Sequence, residues 1–144
     1  MKYLFALIFF SSFFSQSILS QSNDPGVRIE RSVKKNLSTG EYEISLTIYK
    51  GDLTGVGALY EVFSDGTPFL AAVMKNGGAS FGVTETGVKF IWVSLPADTI
   101  ISISYNVKDI ALASPAFECT FKYVYDNQLR KAVVKPEDVV YKEE

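Results

Sequence analysis

Val88–Val107 reads VKFIWVSLPADTIISISYNV, and the parity of its apolar residues decides the fold. Before the turn at Leu95, Pro96, Ala97 and Asp98, Phe90 and Trp92 share one side of an extended chain, and Ile91 and Val93 share the other. After it, Thr99, Ile101, Ile103, Tyr105 and Val107 alternate with Ile100, Ser102, Ser104 and Asn106. A two-residue period sends successive side chains to opposite faces of a strand. The stretch therefore predicts two strands joined by a proline-containing turn. Apolar residues on both faces of the first strand mark it as central. Trp92, the only tryptophan, then belongs to the core, where its burial and that of Phe90 each contribute roughly 2–3 kcal/mol.

The same period continues along the chain in both directions. EYEISLTIYK places Tyr42, Ile44, Leu46 and Ile48 opposite Glu41, Glu43, Ser45, Thr47 and Tyr49, and FECTFKYVY places Phe117, Cys119, Phe121, Tyr123 and Tyr125 opposite Glu118, Thr120, Lys122 and Val124. Further strands are predicted at Val27–Lys35, Gly57–Phe63, Phe69–Lys75 and Arg130–Lys135, with a short last one in PEDVVYKEE. Between them LSTGE, YKGDLTG, FSDGTP, KNGG, ETG and YDNQ carry the Gly, Asn and Asp that turns require. No segment shows an amphipathic helical period. Short strands at this spacing predict an all-β antiparallel sandwich.

Residues 1–20 are predicted to be a signal peptide. Lys2 opens it, YLFALIFF supplies the apolar stretch, and Ser20 precedes the cleavage point at Gln21. Ser11, Ser12, Ser15, Gln16 and Ser17 interrupt the run, leaving it short of the roughly 20 apolar residues of a membrane span. Residues 21–144 then form one exported domain, periplasmic or at the cell surface, with no membrane span after cleavage. Its single cysteine, Cys119, permits no internal disulfide. That suits an exported bacterial domain held by its core better than a disulfide framework. With 14 Lys and Arg against 16 Asp and Glu, nothing in the charge argues for nucleic acid.

Catalytic chemistry finds little support. Histidine is absent, which removes every Ser/His or Cys/His nucleophile pair. Cys119 stands in an aromatic row without a base, a poor setting for a thiolate. Glu41 and Glu43, one repeat apart on a strand, read as a solvated face. The loops YKGDLTG and FSDGTP bring one carboxylate each, Asp52 and Asp65, far from the ligand density of a calcium loop. We therefore assign no catalytic residue, cofactor or metal ligand. For binding, Tyr49, Tyr60 and Tyr105 are the candidate ligand contacts, because a tyrosine joins an apolar ring to a polar tip. Arg28, Arg31, Lys34 and Lys35 read as a solvated edge strand guarded by charge; the rival reading is a docking edge for strand addition.

The residues also carry a resemblance. The run from EISLTIYK through GVKFIW at Gly87–Trp92 to LPADTIISISYNV at Leu95–Val107 resembles the conserved-repeat, immunoglobulin-like domains of bacterial surface proteins. SDGTP stands where those domains place a first leucine-proline turn, with Thr67 before the proline. With FECTFKYVYDNQLRKAVV added, the region from about Glu41 to Val134 resembles small exported Bacteroidota proteins with a cohesin-like sandwich. The resemblance implies a single immunoglobulin-like antiparallel β-sandwich and carries no catalytic residue. Asp98-Thr99-Ile100 is similar to the short O-glycosylation motif of exported Bacteroidota proteins, which makes Thr99 a candidate glycosylation position. The Asn36–Ser38 sequon reads as chance in that setting. The expected function is a non-catalytic binding or structural module with a protein partner in the bacterial envelope. The alternatives are a carbohydrate-binding module with a glycan ligand and an accessory subunit of an envelope secretion or gliding apparatus.

Overall fold

A computed structural model of the chain describes residues 26–63, 69–108, 117–135 and 139–143. The predicted signal peptide and the SDGTP turn lie outside the described residues. The described residues form ten strands and no helix: β1 (Arg28–Lys35), β2 (Tyr42–Tyr49), β3 (Gly57–Phe63), β4 (Phe69–Lys75), β5 (Ser80–Val83), β6 (Gly87–Trp92), β7 (Ile100–Lys108), β8 (Phe117–Tyr125), β9 (Gln128–Val133) and β10 (Val139–Glu143). They divide into two five-stranded sheets, ordered β10-β1-β2-β7-β4 and β5-β6-β3-β8-β9. All pairs are antiparallel except β1 with β10, which run in the same direction.

The alternation read from the sequence is the reason two sheets can close on one core. Ile44, Leu46 and Ile48 of β2 and Ile101, Ile103, Tyr105 and Val107 of β7 point inward from the first sheet, while Leu59, Phe90, Trp92, Phe121 and Tyr123 meet them from the second. Trp92 stands edge-on to Phe121 at 5.9 Å, and Phe121 stacks on Tyr123 at 5.6 Å. One glycine is demanded by close approach. A Cβ on Gly87 would lie 1.7 Å from the carbonyl oxygen of Glu61, so no other residue permits the β3–β6 register there.

The turn at Leu95–Asp98 joins two strands as expected, and they lie in opposing sheets, β6 in the second and β7 in the first, so residues 93–99 carry the chain across the sandwich. Other expectations need correction. β6 is not covered on both faces, for Ile91 and Val93 are exposed. β1 is not an edge strand, because β10 lies along it, and Arg31 is buried. β5 was not expected at all; SFGV is four residues of mixed parity between two glycine-containing turns, too little pattern to announce a strand. The β8–β9 hairpin begins earlier than expected, at Gln128. Its turn residues Asp126 and Asn127 have φ of 50° and 57°, the left-handed pair that closes a two-residue hairpin.

Candidate functional site

The outward face of the second sheet is where the structure leaves chemistry uncommitted. The two-residue turn pairs Tyr125 with Gln128, and every later pair follows from it. Val124 thus stands opposite Leu129, Lys122 opposite Lys131, and Thr120 opposite Val133. Towards β3 and β6 the same rows continue: Lys122 faces Ala58 and then Ile91, and Thr120 faces Tyr60 and then Lys89. The result is a mixed surface of Val62, Ile91, Val124, Leu129 and Val133, all exposed, with Leu129 at 73%, set among three lysines. Among the described residues no carboxylate forms an ion pair with Lys89, Lys122 or Lys131. Like charges directly opposite on a sheet are destabilising, yet Lys122 and Lys131 occupy such a pair.

The three predicted ligand contacts separate. Tyr60 lies on this face, but the Lys122 ammonium sits 5.1 Å above its ring. Tyr49 lies on the outward face of the first sheet. The Arg28 guanidinium covers its ring at 4.4 Å, and its hydroxyl donates to Glu30 Oε2 at 2.8 Å. That hydrogen bond, with help from Arg28, holds the Glu30 carboxyl below its ordinary range and pushes the Tyr49 hydroxyl up. Tyr105 is no ligand contact: it is fully buried, packed against Phe90 at 5.7 Å. Parity explains it, since Tyr105 continues the inward set Ile101–Ile103. Thr99 is exposed in the crossover, and its carbonyl accepts from the backbone N–H groups of Lys50 and Gly51. Asn36 spends its side-chain oxygen on the N–H groups of Ser38 and Thr39. Glu41 forms an ion pair with Lys108 at 2.9 Å.

Sequence reasoning missed one constellation entirely. Arg31 of β1 and Glu61 of β3 meet inside the sandwich at 2.7 Å, with side chains 3% and 0% exposed. Burial works against the guanidinium's charge, but the Glu61 carboxylate offsets this and holds its pKa above the ordinary value. Tyr105 and Cys119 border the pair. Burial, reinforced by Glu61, pushes both the Tyr105 hydroxyl and the Cys119 thiol well up, so neither ionises readily. The second Glu61 oxygen and the Tyr105 hydroxyl make no hydrogen bond of good geometry. The signal was available: Glu61 shares the parity of Leu59 and Phe63, and Arg31 that of Ile29 and Val33. Among the described residues no group of three acidic, Cys or His side chains converges in a way that would hold a metal ion.

No family model matches the chain, and no curated protein matches it. Solved structures do. Two of a glycoside hydrolase family 20 exo-β-N-acetylglucosaminidase from Vibrio harveyi, one in complex with N-acetylglucosamine and one an inactive mutant, each align with a TM-score of 0.53 and 16% identity. Each alignment covers 79% of this chain and 18% of the enzyme. The likeness is one of fold, and the chain spans less than a fifth of that enzyme's length.

Proposed function

We propose that this chain is an exported, non-catalytic binding module that docks a protein partner in the bacterial envelope through the outward face of β5-β6-β3-β8-β9. The observation that carries the reading is the pairing of exposed apolar side chains with unneutralised lysines on that face. Exposed apolar side chains interleaved with charge suit an association surface, and three lysines that form no ion pair among the described residues favour a partner that brings carboxylates beside apolar groups. The immunoglobulin-like reading draws support from strand order. Taken alone, β1-β2-β7-β4 and β3-β8-β9 follow the A-B-E-D and C-F-G order of that sandwich, with β5 and β6 added beside the strand in the C position.

Site-specific photo-crosslinking in the native envelope tests the proposal. A crosslinker at Leu129 should give one reproducible protein adduct, mapping to a segment with Asp or Glu beside apolar residues, and one at Ser45 on the opposite face should not. The adduct should weaken as salt rises. Equal adducts from both faces, or adducts from Ser45 alone, would overturn the assignment.

A further inference from the structure

We propose that the cleft between the β4–β5 and β6–β7 connections binds a neutral saccharide. It encloses about 630 Å³, within the roughly 300–1,000 Å³ of small-molecule sites. Phe81, Met74 and Ile100 form its apolar wall, and Lys75, Asn76 and Asp98 bring polar groups. Phe81 is paired with Phe90 across β5 and β6 and therefore points to the inner side of its sheet. Because β5 ends the sheet, the ring touches Phe90 at 6.4 Å yet is 51% exposed. Among the described residues no cation covers it, unlike Tyr49 and Tyr60.

The wall that faces the ligand is held in advance. Trp92 Nε1 donates to the Gly77 carbonyl at 2.7 Å, and Asn76 Oδ1 accepts from the Gly78 N–H at 3.1 Å. Gly77 has φ of +59°, and a Cβ there would lie 2.4 Å from Ile101 Cγ2, so the loop has little freedom to be anything else. The Asn76 amide N–H groups, the Asp98 carboxylate and the Lys75 ammonium make no bonds to the described residues. They offer both donors and acceptors, as hydroxyl groups require, and one positive and one negative group balance at the rim, which favours an uncharged ligand. A half-exposed aromatic ring suits the C–H face of a pyranose. An added peptide strand fits poorly: β4 pairs with β7 through register shifts, and β5 is four residues long, both devices that protect an edge from pairing.

The test is a ¹H–¹⁵N NMR titration of the purified protein with neutral tetrasaccharides of glucose, mannose, galactose and xylose, and with tetragalacturonate as the acidic contrast. At least one neutral sugar should shift the amides of residues 76–78 and 98–102 at millimolar concentration. Phe81→Ala should weaken that binding about tenfold, the loss expected when roughly one half-buried ring contact is removed. Asp98→Asn, an exposed change that keeps the fold, should weaken it several-fold. The proposal is overturned if no neutral sugar shifts these amides, if tetragalacturonate binds more tightly than all of them, or if both variants bind as the parent does.

Discussion

On the outward face of the first sheet, Ser32, Ser45 and Ser104 stand side by side across three strands, with Thr47 and Ser102 in the next row. Several charges around them are matched, Arg28 with Glu30 and Lys108 with Glu41, and Tyr49 donates to Glu30. Lys34 nevertheless stands beside Lys142, and Val140 and Ile100 are exposed on the same face. The equivalent positions of the second sheet hold Ile91, Val124, Leu129 and Val133 among Lys89, Lys122 and Lys131. Both faces obey the same two-residue alternation. The first is mostly small hydroxyls and matched charge. The other carries more exposed apolar side chains, Val62, Ile91, Val124, Leu129 and Val133 against Val140 and Ile100, and that is the physical ground for assigning docking to it.

The contrast depends on both sheets keeping their register, and the largest expected effect comes from breaking the ion pair that ties them. Glu61→Ala leaves the Arg31 guanidinium buried without its carboxylate and should cost about 3–5 kcal/mol in urea unfolding. Arg31→Met with Glu61→Leu should recover that loss, since a packed apolar pair replaces a buried ionic one at no net cost or better. A double variant as unstable as Glu61→Ala would show that the pair, rather than the stranded charge, holds the sheets together.

Lys131→Glu sharpens the comparison directly. Removing the like-charge neighbour of Lys122 should raise stability by roughly 0.2–1 kcal/mol while weakening partner capture; a fall in stability would mean the lysines are not in conflict. Leu129→Ser should leave unfolding within about 0.5 kcal/mol of the parent but abolish the adduct expected on this face, whereas Ser104→Ala on the other face should change neither. The smallest effect concerns the matched network. Glu30 should titrate below ordinary glutamates by NMR, and Tyr49→Phe should move its midpoint up. The sign follows from the lowered pKa: stability from this contact is full above the unfolded-state value and is lost as pH falls through the folded one. A midpoint unmoved by Tyr49→Phe would show that Arg28 alone holds it.

The strands were legible wherever inward positions were consistently apolar. β2, β3, β7 and β8 follow their patterns closely, because one slip of register would turn Ile44, Leu46 and Ile48 out to water. Sheet membership was not legible. Nothing local says that β6 and β7 lie in opposing sheets, for that depends on Val88, Phe90 and Trp92 joining Ile101 and Ile103 in one core. Tyrosines misled for a related reason: Tyr105 and Tyr49 look alike by composition and differ only by parity. Arg31 and Glu61 were hidden because each charge reads as solvent-facing until its partner, 30 residues away in sequence, is brought beside it. The candidate docking face was within reach, since the Asp126-Asn127 turn alone fixes which residues of β8 and β9 share a side.

The parallel pairing of β10 on β1, from Arg31–Val139 to Lys35–Glu143, has a mechanical meaning. Because the strands are parallel, the N-terminal end of β1 and the C-terminal end of β10 lie at opposite ends of the ladder, so tension drawn between those points runs along the strands. It loads the hydrogen bonds of that ladder together, in shear, instead of peeling them apart one by one. A sandwich closed in this way resists stretching along its length far better than it resists being opened from either lateral edge.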